Sequence, residues 1–70
     1  MLKTIYIARD FELANRLKLA LKEKGIKAVL NRLQDQKEEG LGGNVEISVL
    51  KSEAQEAFYF INEALIEETI

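Results

Sequence analysis

Residues able to do chemistry are few in this chain, and the most suggestive of them surround a run of glycines. The stretch "EEGLGGN", Glu38 to Asn44, places Gly40, Gly42 and Gly43 within four positions. Glycine backbone can wrap an anion, and Arg9, Arg32 and Lys37 are the cations that could complete such a site. A phosphate-binding loop, however, feeds its glycines directly into a helix and follows them with Lys and Ser or Thr. Here the glycines run into the alternating stretch that begins at Val45. The pattern therefore reads first as a pliable connection and second as a ligand site made of Arg9, Arg32, Lys37, Gly40, Gly42 and Gly43. At about a dozen residues the connection is long for a hairpin, which keeps a functional loop in view.

Catalytic chemistry finds little else to use. The chain has no His and no Cys, so the side chain best suited to proton transfer near neutral pH is missing. A transition metal would need an all-oxygen site, which suits zinc poorly. Ser48 and Ser52 have no histidine base. Carboxylates remain as possible acids and bases, but no pair stands out. The expectation is a non-enzymatic protein with no cofactor and no metal.

Charge and composition narrow the partners. Twelve Asp and Glu stand against ten Lys and Arg, without the basic surplus that releases counterions from a phosphate backbone. Nucleic acid is not an expected partner. No apolar run is long enough to span a bilayer, and no signal-like start is present. The expectation is a cytoplasmic protein with no membrane contact. Seventy residues make one domain, residues 1–70, near the small end of what folds alone.

The elements that must position these residues follow from periodicity. Leu2 to Ala8, "LKTIYIA", is short, β-branched and aromatic, hence a strand. Asp10 can cap the helix that follows. From Phe11 to Lys24, Leu13, Leu17, Ala20 and Leu21 recur at helical spacing. Gly25 can close that helix in a left-handed conformation. Ile26 to Asn31 reads as a second strand and Arg32 to Gly43 as a loop. Val45 to Leu50 alternates cleanly, Val45, Ile47 and Val49 against Glu46 and Ser48. "SEAQ" at Ser52 to Gln55 fits a capping box, and Ala54, Ala57, Phe58, Ile61, Ala64 and Leu65 continue a helix to about Glu68.

The order is β-α-β-β-α. A right-handed crossover leaves the third strand its natural slot between the first and second. The fold class is therefore α+β, a ferredoxin-like antiparallel sheet with both helices on one face and no clear fourth strand. The candidate core is Ile5, Ile7, Leu13, Leu17, Leu21, Ile26, Ala28, Leu30, Val45, Ile47, Val49, Ala57, Phe58, Ile61 and Leu65. A core this small leaves little stability to spare, so self-association would help.

With that order in place, "IYIARDFELANRLKLALKEKGIKAVLN", a loop ending "LGG" and "VEISVLKSEAQEA" resemble a small bacterial family of prokaryotic signal-transducing proteins. The resemblance covers nearly the whole chain and lies at packing and turn positions. It implies a PII-like fold, related to the nitrogen regulators in which the loop between the second and third strands contacts partners and helps bind nucleotide. It supplies no catalytic residues.

Two further surfaces can meet a partner. On the last helix, Glu53, Glu56, Glu63 and Glu67 make an acidic face with Phe60 projecting from it, and Tyr59, Ile66 and Ile70 add an apolar strip. Several exposed apolar residues together suggest a contact surface, here Tyr59, Phe60, Ile66 and Ile70. The sheet face bearing Thr4, Tyr6, Lys27, Val29, Glu46 and Ser48 is solvated or meets a second copy, and the unprotected edge of the first strand could pair with one. The expected function is a regulatory or protein-interaction domain, homo-oligomeric, with an unidentified protein partner. The alternative is a sensor binding a nucleotide or other anion at the first strand–helix turn and the glycine loop. A carboxylate-only enzyme is a distant third.

Overall fold

The computed structural model describes residues 1–33 and 44–68. Its elements are β1 (Leu2–Ala8), α1 (Phe11–Glu23), β2 (Val29–Arg32), β3 (Val45–Leu50) and α2 (Ala54–Glu68), with a 3₁₀ turn over Lys51–Glu53 before α2. The three strands form one antiparallel sheet in the order β1-β3-β2, the topology expected from the sequence. With β3 antiparallel to both neighbours, β1 and β2 run parallel and end at the same edge. α1 packs against all three strands, and α2 lies beside it against β1 and β3.

α1 begins and ends as its sequence dictates. Asp10 is the N-cap, its carboxylate accepting from the Leu13 amide at 2.8 Å, which satisfies one of the orphan donors of the first turn. At the other end the Gly25 amide donates to the Lys22 carbonyl and the Ile26 amide to that of Leu21, both at 2.9 Å. This paired closure is the Schellman arrangement, and it needs Gly25 at φ +82°. Leu13, Ala14, Leu17 and Leu21 form the buried stripe between the caps.

The core unites that stripe with Ala8, Ile26, Ala28, Val45, Ile47, Val49, Ala54, Ala57 and Ile61. Ile5, Leu30 and Leu65 are partly buried at its margin. Two expected core residues lie elsewhere. Ile7 is 49% exposed, because the β1–β3 register slips between Thr4 and Tyr6. A bulge there reverses the alternation beyond it. Tyr6 now pairs with buried Ile47 and packs against the core instead of lying on the polar face, while Ile7 pairs with Glu46. Phe58 is 50% exposed. It sits on the β1 margin of α2, and among the described residues β1 is an edge strand with no neighbour beyond it to complete the burial.

Two boundaries also shift. β2 begins at Val29, not Ile26; Ile26 and Ala28 are buried without joining the ladder. Ser52 lies inside the 3₁₀ turn, so the α-helix opens at Ala54 rather than on a Ser52 cap.

Candidate functional site

The shared end of β1 and β2 gathers the first group of expected site residues. Arg9 and Asp10 turn the chain from β1 into α1, and Arg9 Nε lies 3.5 Å from Asp10 Oδ2. Arg32, the last residue of β2, places its guanidinium 4.8 Å from the centre of the Phe11 ring. That contact ties the end of β2 to the first turn of α1, the neighbourhood the topology implies. The Leu33 amide donates to the Asn44 carbonyl at 3.0 Å and closes the neck of the β2–β3 connection at this edge. Arg9 and Arg32 thus lie at the same edge; Lys37, Gly40, Gly42 and Gly43 lie outside the described residues. The local charge is already engaged. Asp10 takes one amide of the first turn, Arg9 faces that carboxylate, and Arg32 is held over a ring.

On α2 the expected contact residues divide. Tyr59 and Ile66 are 59% and 61% exposed. Phe60 does not project outward: it is partly buried against the core, with the Lys24 ammonium 5.3 Å from its ring centre. Tyr59 meets Phe60 edge-on at 5.6 Å. A hydrogen bond to the Glu63 carboxylate, reinforced by its negative charge, pushes the Tyr59 hydroxyl above its ordinary pKa. Ile70 lies outside the described residues. Phe58, which sequence reasoning assigned to the core, projects as Tyr59 does and is half exposed. A helix stripe that is apolar at every third and fourth position fits two registers at its margins. Only the width of the sheet decides which margin stays bare.

Beside Phe58 lies a groove of about 570 Å³. Lys3, Ile5, Lys51, Ala54, Gln55 and Phe58 line it, along the free edge of β1 and beneath the overhang of α2. This is the position a further strand of the sheet would take.

The sheet face away from the helices carries a closed polar cluster. The Thr4 hydroxyl donates to Glu46 Oε2 at 2.6 Å, Asn31 Nδ2 donates to Glu46 Oε1 at 3.3 Å, and the Thr4 and Ser48 hydroxyls are 3.3 Å apart. Hydrogen bonds from Thr4 and then Asn31 hold Glu46 below the usual carboxylate range. Leu2, Ile7, Val29 and Leu50, each roughly half exposed, surround the cluster.

Among the described residues no group of three His, Cys, Asp or Glu is placed to hold a metal. No helix among them is long and apolar enough to cross a membrane. Comparison with protein-family models, with curated proteins and with solved structures finds no match to this chain.

Proposed function

We propose that this chain is a non-enzymatic interaction or regulatory domain that works as a homo-oligomer, with a second copy seated along β1 and the adjoining flank of α2. The observation that carries the reading is the groove beneath half-exposed Phe58, beside a strand edge that pairs with nothing among the described residues. A second copy is the fitting occupant because the adjoining flank of α2 is uncharged. β1 contains one cation and no carboxylate, and Gln55, Phe58 and Asn62 make an uncharged stripe down that side of α2. Two copies related by a twofold axis would bring that uncharged stripe against itself, alongside the two lysines of the groove, Lys3 and Lys51. The bulge in β1 limits how much backbone can pair, so the α2 stripe supplies most of the contact. The resemblance to signal-transducing proteins supports a regulatory role.

Light scattering coupled to size exclusion tests the reading. The wild-type chain should run as a dimer or larger, and Phe58→Glu as a monomer with unchanged helical circular dichroism. A wild-type chain that stays monomeric up to its solubility limit overturns self-association.

A second reading, an anion or nucleotide sensor, is favoured by the approach of Arg32 to the first turn of α1, on the same edge as Arg9. Titration with a nucleotide panel should then shift the Arg9 and Arg32 amide resonances first. No response at that edge removes this reading.

A further inference from the structure

Charge is strongly segregated along this nearly neutral chain. Residues 11–33 hold six cations, Arg16, Lys18, Lys22, Lys24, Lys27 and Arg32, against two carboxylates, Glu12 and Glu23. Residues 44–68 hold the single cation Lys51 against six glutamates. Three of the six cations are engaged within the fold: Arg16 with Glu12 at 3.2 Å, Lys24 over Phe60 and Arg32 over Phe11. Among the described residues, Lys18, Lys22 and Lys27 make no ion pair.

Those three lysines share one place. With Gly25, Ile26 and Ala28 they line a groove of about 480 Å³. Lys18 and Lys22 stand one turn apart on α1, and Lys27 enters from the segment leading into β2. Buried Ile26 and Ala28 give the groove an apolar floor. Its lining ends at Ala28, directly before β2, whose outer edge, like that of β1, is unpaired among the described residues. Lysines four residues apart on a helix repel, and among the described residues no ion pair offsets that repulsion.

We propose that this groove receives an acidic peptide segment in extended conformation, added as a strand to the outer edge of β2. Backbone pairing with Val29–Arg32 supplies the register, and alternate side chains divide between the apolar floor and the ammonium groups of Lys18, Lys22 and Lys27. Edge lysines also serve simply to repel an incoming strand. That role needs the charge on the strand itself, whereas Lys18 and Lys22 sit on the helix above the edge. There they attract carboxylates on a strand lying below. The site is on the opposite side of the sheet from β1 and stands independently of self-association.

The probe is an acetylated, amidated heptapeptide of alternating valine and glutamate, titrated into the full chain and followed by amide NMR shifts. Binding should move Val29, Asn31, Lys18, Lys22 and Lys27. It should weaken as salt shortens the screening length from about 10 Å at 0.1 M to about 3 Å at 1 M. Lys18→Gln with Lys22→Gln should weaken it about tenfold, the order expected on losing two solvent-facing ion pairs. Lys18→Arg with Lys22→Arg should retain it, and Phe58→Glu should leave it unchanged. A valine–lysine heptapeptide, and the acidic one with a central proline, should not bind. The proposal is overturned if the acidic peptide fails to bind, if the valine–lysine peptide binds as well, or if the glutamine pair makes no difference, the lysines then being edge guards only. Tighter binding of a single-stranded oligonucleotide at the same lysines would also overturn it, in favour of a general polyanion surface.

Discussion

Asp10 receives the Leu13 amide at 2.8 Å and thereby sets a carboxylate at the end of α1 where a small anion would sit. One carboxylate both starts the helix and decides what its N-terminus can hold. Replacing it with Ala should cost about 1 kcal/mol of stability, with Asp10→Ser or Asp10→Asn costing far less, as measured by urea denaturation. The same Asp10→Ala variant frees both the Leu13 amide and Arg9. It should therefore bind inorganic phosphate at this edge more readily than the wild type, by chemical-shift titration.

The bulge in β1 puts Ile7 on the outer face of the sheet, opposite in burial to Ile47 of β3. Ile47 is fully buried at the centre of the sheet, whereas Ile7 lies half exposed on its outer face. Ile47→Ala should cost about 2–5 kcal/mol, the transfer term plus a cavity the neighbours cannot fill. Ile7→Ala should cost under about 1 kcal/mol. Equal losses in denaturant midpoint would mean that β1 keeps its simple alternation and Ile7 faces the helices.

The contrast marks what could be read from the residues alone. The Asp10 cap, the Gly25 closure, the α1 stripe and the alternation of β3 are local signals, and each appears where the sequence puts it. The strand order follows from them, because few ways of joining β-α-β-β-α remain. Tyr6 and Ile7 are misplaced because one extra residue in β1 reverses its alternation, and nothing in "LKTIYIA" announces a bulge. Phe58 and Phe60 exchange roles for a tertiary reason. Among the described residues the narrow three-stranded sheet leaves the β1 margin of α2 uncovered, while the neighbouring helix and Lys24 cover the other. Ser52 carries the residues of a capping box, yet the chain leaves β3 through a 3₁₀ turn that absorbs it. Of the expected anion-site residues, Arg9 and Arg32 lie at the same edge of the sheet, a consequence of β1 and β2 running parallel.

Gly25 isolates a pure backbone effect. Its φ of +82° lies in the left-handed region, and a methyl group added there would touch nothing within 4 Å. Any loss on Gly25→Ala is therefore conformational strain rather than collision, about 1–2 kcal/mol. Gly25→Asn should lose less, since Asn tolerates this conformation. Thermal melts of the two variants check the ranking. An alanine variant as stable as the wild type would show that α1 does not end in this geometry.

Glu46 links the open face of the sheet to pH. Hydrogen bonds from Thr4 and then Asn31 favour its ionised form and hold its pKa below the ordinary carboxylate value. A carboxyl whose pKa is lower folded than unfolded stabilises the fold above its unfolded pKa. That contribution fades as pH falls through the folded pKa. Thr4→Val removes the shorter of the two hydrogen bonds, at 2.6 Å. The Glu46 titration midpoint should then rise toward the ordinary value when followed by carboxyl carbon NMR. Asn31→Ala should raise it by less, in keeping with its longer bond of 3.3 Å. If neither substitution moves the midpoint, the Thr4–Glu46–Asn31 cluster does not persist in solution. The open face would then present a solvated carboxylate rather than one held by its neighbours.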